Sequence, residues 1–119
     1  MRVLTVFGTR PEAIKMAPIV RRLAETPGIT PLVCVTAQHR QMLDQVLQVF
    51  DIKPDFDLNI MQAGQTLTQV TTRALEGLEQ VLQREQPNIV LAQGDTTTVL
   101  AAALASASSN IAFGRVGAG

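Results

Sequence analysis

Four short runs of aliphatic and β-branched residues punctuate this chain, with helical patterns in the intervals between them. They are Val3-Leu4-Thr5-Val6-Phe7, Leu32-Val33-Cys34-Val35-Thr36, Asn88-Ile89-Val90-Leu91-Ala92, and a run that begins at Ile111-Ala112-Phe113 and reaches about Val116. A strand with one wet face alternates apolar and polar residues. These runs are continuously apolar instead, as strands are when helices cover both faces. Strands alternating with helices imply a parallel, doubly wound α/β sheet, because a parallel neighbour is reached only by a crossover. The interval between the second and third runs holds two helical patterns and is long enough to cross the sheet. In such folds a ligand sits outside the carboxyl ends of the strands, where strand order switches direction.

The helices carry their own end signals. Thr9-x-x-Glu12 reads as a capping box, with Pro11 in the first turn, where its missing N–H costs nothing. The helix it opens is expected to reach about residue 24, with a kink at Pro18. Met42, Leu43, Val46, Leu47 and Phe50 predict a helix over 39–50. Thr66-x-x-Gln69 is a second capping box and opens the longest helix, striped by Leu67, Val70, Ala74, Leu78 and Val81. An Ala-rich helix over 96–108 follows, with Asp95 placed to cap it. Residues 51–64, with Pro54 and three Asp, read as a connection, and the charges of 51–57 as a solvated loop.

Composition excludes several functions. Ten Lys and Arg balance ten Asp and Glu among 119 residues, so the chain is not built to coat nucleic acid or an anionic membrane. Aromatic residues are 3%, all Phe, which leaves no stacking platform for single-stranded nucleic acid. No apolar run approaches the ~20 residues of a membrane span, and residues 3–7 are too short for a signal-peptide core. One Cys and one His make neither a disulfide nor a four-ligand structural zinc site, so no metal is expected and a cytoplasmic location is. Cys34, inside an apolar run, reads as buried strand filler.

Three strand-to-helix loops remain as candidate sites. In the first, Gly8 lets the backbone approach a ligand, the helix N-terminus offers N–H groups to an anion, and Arg10 and Lys15 add two cations. With one glycine the loop is neither a dinucleotide fingerprint nor a P-loop, so no nicotinamide or other cofactor is implied. Arg10 binding phosphate and Arg10 pairing with Glu12 are equally compatible with the spacing. The second loop contains Asp95, either a base or sugar-hydroxyl acceptor at a strand end, or simply a helix cap. The third contains His39, an acid or a surface histidine.

Four strings then carry a resemblance: Phe7-Gly8-Thr9-Arg10-Pro11-Glu12-Ala13-Ile14-Lys15-Met16-Ala17-Pro18, Thr36-Ala37-Gln38-His39-Arg40-Gln41-Met42-Leu43-Asp44, Asp57-Leu58-Asn59-Ile60-Met61 and Gly94-Asp95-Thr96-Thr97-Thr98. In this order and spacing the chain resembles the amino-terminal part of the non-hydrolysing UDP-N-acetylglucosamine 2-epimerases. The resemblance implies a Rossmann-like domain of a two-domain, glycosyltransferase-B-like fold with the active site in the cleft between domains. Residues 1–119 are then expected to be a single incomplete domain, inactive alone. The implied reaction interconverts UDP-N-acetylglucosamine and UDP-N-acetylmannosamine by eliminating UDP to a glycal and re-adding it. The resemblance further implies that Arg10 and Lys15 contact the nucleotide-sugar, Lys15 near the diphosphate, and that Asp95 is a catalytic or substrate-binding carboxylate. It matches Gln38 and Gln41 to residues that bind a second, activating nucleotide-sugar in some members. It implies a homodimer serving cell-surface polysaccharide synthesis. A nucleotide-sugar-binding module without catalysis, or an inert structural fragment, is the alternative. Two departures stand out: Gln93 where the family has His, and Gly117 where it has a catalytic Glu. Gly64 stands where some members carry an allosteric arginine.

Overall fold

The computed structural model describes residues 1–37, 40–93 and 97–116. Its elements run β1 (Arg2–Phe7), α1 (Arg10–Glu25), β2 (Thr30–Val35), α2 (Arg40–Val49), β3 (Phe56–Asp57), α3 (Leu67–Glu85), β4 (Ile89–Gln93), α4 (Thr97–Ser108) and β5 (Ala112–Val116). All five strands are parallel, in the order β3-β2-β1-β4-β5. The interval holding α2 and α3 does cross the sheet, since β4 pairs with β1 on the side away from β2.

The continuously apolar strands face two cores. Leu4, Val6, Leu32, Cys34, Val90 and Ala92 point into one, closed by Val70, Ala74, Leu78 and Leu82 of α3 and Ala101, Ala102 and Ala105 of α4. Phe7, Val33 and Val35 point into the other with Ala13 and Met16 of α1 and Leu43, Val46 and Leu47 of α2. With one residue of each strand to one core and the next to the other, no polar alternation is possible. Small residues let α4 sit close to the sheet; on the sheet itself Gly114 serves Leu91, whose Cδ2 lies 2.8 Å from where a Cβ would stand.

Three expectations need correction. Residues 51–64 hold a strand, β3, paired with β2 through Cys34↔Phe56 and Val35↔Asp57. Two residues give no periodicity to read. The aspartates of 51–57 are not merely solvated: Asp55 exchanges two bonds with Val33, its N–H donating to the Val33 carbonyl at 2.8 Å and its Oδ2 accepting from Val33 N at 2.8 Å. The side chain stands in for a ladder group where the edge strand begins. Third, neither bond of the α1 capping box forms. Thr9 has cap geometry (φ −120°, ψ 165°) but its hydroxyl makes no cap bond, and Glu12 reaches past it to Gly8. The α3 box forms completely, with Thr66 Oγ1 accepting from Gln69 N and Gln69 Oε1 from Thr66 N. α1 runs through Pro18 without a break.

Cys34 is fully buried, as its place in an apolar run implies. Burial first, and the charge of Asp57 second, push its thiol pKa up to about 12. The thiol is then inert in the folded protein, because the thiolate is the reactive form. Cys34→Ser is expected to cost ~1–3 kcal/mol, the penalty for a buried hydroxyl without a partner, read by urea unfolding. The raised pKa also predicts a pH dependence. Its contribution is fully present below the unfolded-state value near 9 and is lost as pH rises from there toward 12. Between pH 9 and 11 the wild type should lose stability relative to Cys34→Ala by up to about 1.4 kcal/mol per pH unit; parallel curves for the two proteins would refute this.

Candidate functional site

Strand order reverses between β1 and β4: β2 and β3 lie on one side of β1, β4 and β5 on the other. The crevice of an open α/β sheet forms there, beyond the carboxyl ends. Here those ends are Phe7 and Gln93.

The floor of this crevice is built from the turns on either side of β1. Thr36, after β2, donates its N–H to the Phe7 carbonyl at 3.0 Å and accepts from Ile60 N at 3.1 Å. Its hydroxyl bonds the Thr98 hydroxyl of α4 at 3.2 Å, with both residues buried. The bond ties the turn after β2 to the first turn of α4 across the end of β1. Sequence reasoning placed both threonines in candidate loops but not in contact, since 62 residues separate them.

Ala37, next in the chain, is buried at φ 65°, in the left-handed region. Such strain in a non-glycine residue costs about 1–3 kcal/mol and concentrates at functional sites. Ala37→Val is expected to destabilise the fold by ~3 kcal/mol, adding overpacking to a conformation that β-branched residues avoid. Ala37→Gly should be near neutral, one lost methyl offsetting the relief of strain. Chemical denaturation of both variants checks the pair.

The amino end of α1 follows β1 at this same end of the sheet. Arg10 occupies its first position and Lys15 its second turn, both exposed and neither in an ion pair among the described residues. Lys15 lies about 7.5 Å further along the axis, and helical side chains lean back toward the N-terminus. Pairing of Arg10 with Glu12 is set aside: Glu12 is 3% exposed and its Oε1 accepts from Gly8 N at 2.8 Å. Gln93 is buried at the end of β4. Asp95, Gln38, His39 and Gly117 lie outside the described residues.

Gln41 is exposed on the first turn of α2. The neighbouring Arg40 anchors that turn. Its Nη2 donates to Asp57 Oδ1 at 2.6 Å and to Asn59 Oδ1 at 3.2 Å, and its Nη1 to Asp44 Oδ1 at 3.3 Å. The Asp57 bond is the main cause of a raised Arg40 pKa, with partial burial opposing it. At 40% and 39% side-chain exposure the pair adds little stability, under about 1 kcal/mol. Its effect is positional: it joins the Thr36–Asp44 string to the Asp57–Met61 string. No periodicity could have indicated that contact.

A separate concavity of about 330 Å³ lies between α1, β2 and residues 50–55, lined by Val20, Arg21, Pro31, Phe50 and Lys53. It is remote from the strand carboxyl ends, and none of Arg10, Lys15 or Thr36 lines it.

The model of the family described as UDP-N-acetylglucosamine 2-epimerase matches residues 21–119. A relative from Clostridium acetobutylicum is 63% identical over all 119 residues, and the chain spans 31% of that relative's length. The UDP-N-acetylglucosamine 2-epimerase of Escherichia coli K12 is 61% identical over all 119 residues, which span 32% of its length. Among solved structures, the UDP-GlcNAc 2-epimerase of Neisseria meningitidis bound to UDP-GlcNAc is 54% identical and superposes with a TM-score of 0.91. That match covers 98% of this chain and 32% of the other. The chain therefore spans about a third of the length of the curated relatives it matches.

Proposed function

Because the chain belongs to the UDP-N-acetylglucosamine 2-epimerase family, we propose that its carboxyl-end crevice is one wall of a nucleotide-sugar site that interconverts UDP-N-acetylglucosamine and UDP-N-acetylmannosamine. The observation that carries this reading is the crevice itself. At the switch in strand order, the Thr36–Thr98 bond closes the floor, and β1 leads from the same end of the sheet into the first turn of α1, with Arg10 at its first position and Lys15 one turn on. Two cations and a helix N-terminus suit a diphosphate. The Neisseria enzyme, with the same fold, was crystallised with UDP-GlcNAc.

The chemistry proceeds in two stages. A base removes the C2 proton while the C1–O bond to UDP breaks, leaving a glycal. UDP then re-adds at C1 as a proton returns to the other face of C2. The charge that develops on departing UDP is what Arg10 and Lys15 are placed to stabilise. Asp95 is proposed as a catalytic or substrate-binding carboxylate. Gln38 and Gln41 are proposed to bind a second, activating nucleotide-sugar. The proposed setting is a cytoplasmic homodimer of the full-length enzyme. No helix among the described residues is long and apolar enough to cross a membrane.

The test is a chimera of residues 1–116 followed by the E. coli relative from the position matching 117 onward. It should form UDP-N-acetylmannosamine from UDP-N-acetylglucosamine. The 119 residues alone should form none above a heat-killed control, since several transition-state contacts come from the opposite wall. A folded chimera without product, or activity in the 119 residues alone, would overturn this reading.

A further inference from the structure

Glu12 is a carboxylate whose burial the fold does not repay. It is 3% exposed; among the described residues its Oε2 has no hydrogen-bond partner and its Oε1 accepts from the Gly8 N–H at 2.8 Å. Burying a carboxylate is costly unless its oxygens are satisfied. Helix N-termini favour negative charge, but an exposed carboxylate in the first turn supplies that without desolvation. What this side chain does for the protein is therefore concentrated in the bond to Gly8.

That bond lies where the backbone leaves β1 and enters α1. In a full capping box Glu12 would accept from Thr9 N and the Thr9 hydroxyl from Glu12 N. Here the Thr9 hydroxyl caps nothing, and Glu12 grips one residue earlier. Pro11 has no N–H, so the helix start is held by the Gly8 clamp and the Ala13 N to Thr9 O bond at 3.0 Å. The N–H groups of Arg10 and Glu12 are left without a Thr9 acceptor. Gly8 is the pivot that decides where these N–H groups and the Arg10 guanidinium point.

We propose that Glu12 is a positioning residue, acting through Gly8 to fix the β1–α1 turn in the orientation that receives the diphosphate. This rests on the reading of that turn as the diphosphate site. Glu12 touches no substrate itself; its carboxylate sets the backbone from which Arg10 and the first turn of α1 act. The acceptor is what the role requires, so a residue of equal length that keeps one oxygen suffices. A shorter or apolar residue does not.

The test uses the 1–116 chimera with Glu12→Gln, Glu12→Asp and Glu12→Ala, alongside ¹⁵N-labelled 119-residue chains with the same changes. In the labelled chains the Gly8 amide proton should stay downfield in Glu12→Gln and move upfield in Glu12→Asp and Glu12→Ala. In the chimera, Glu12→Gln should keep kcat/KM within about threefold of the parent. Glu12→Asp and Glu12→Ala should lose tenfold or more while their melting curves remain cooperative. If Glu12→Ala does not fold, Glu12→Asp carries the comparison, since it keeps the charge and loses the reach. Wild-type kcat/KM in a folded Glu12→Asp or Glu12→Ala would overturn the proposal. So would a Glu12→Gln as damaged as Glu12→Asp although its Gly8 resonance is unmoved. An inactive parent chimera would overturn instead the reading on which it rests.

Discussion

Lys15→Ala in the 1–116 chimera should lower kcat by about 10²–10³, the scale on which one preorganised transition-state contact acts. The substrate diphosphate is already charged, so a cation that only held it would show mainly in KM. A cation placed where the C1–O bond breaks meets charge that grows as UDP departs, and its loss shows mainly in kcat. The protein should otherwise be undisturbed: Lys15 is exposed on α1 and in no ion pair among the described residues. Steady-state kinetics and a melting curve settle the point together. A wild-type kcat with a normal melting curve would make Lys15 an ordinary solvated side chain. Lys15→Arg should restore little, because a planar fork on a different stem does not reproduce a compact ammonium.

The second large effect concerns position 117, where the chain has glycine and the resemblance implies a carboxylate. Joined to the E. coli relative at residue 120, with Gly117 retained, the enzyme should be slow. Gly117→Glu should raise its kcat by two orders of magnitude or more, within the ~10²–10⁴ typical of general acid–base catalysis. Nucleotide-sugar affinity should change far less, since Arg10 and Lys15, proposed to contact the nucleotide-sugar, are unchanged. Equal kcat for the two forms would remove position 117 from the active site of this protein.

The fold was legible where a single physical cause dominates. Continuous apolar strands follow directly from two covered faces, and the stripe Val70-Ala74-Leu78-Val81 from one buried helical face, while Leu67, read as its first member, is exposed at the helix start. The β1–α1 junction, with Arg10 opening α1 and Lys15 one turn on, could be placed because in parallel sheets the helix starts at the strand's carboxyl end. What escaped notice depends on partners distant in sequence. β3 exists because two residues meet β2, and Asp55 and Asp57 are held by Val33 and Arg40. Thr36 and Thr98 meet only once β4 pairs on the far side of β1. Glu12 looked like the second half of a capping box and instead clamps Gly8, a shift of one residue that spacing cannot resolve. Asp95, Gln38, His39 and Gly117 were singled out from the sequence and lie outside the described residues; the roles of Asp95, Gln38 and Gly117 come from the resemblance, and that of His39 from its place in a strand-end loop.

The central claim is that this chain supplies one wall of a site that breaks and remakes the C2–H bond of a nucleotide-sugar. Deuterium uptake tests it most directly. The 1–116 chimera is incubated with UDP-N-acetylglucosamine in D₂O, and the product is analysed by NMR and mass spectrometry. Elimination followed by re-addition predicts UDP-N-acetylmannosamine carrying deuterium at C2, its proton having been exchanged with solvent. A folded chimera giving no product, or a product with its original proton at C2, would contradict it.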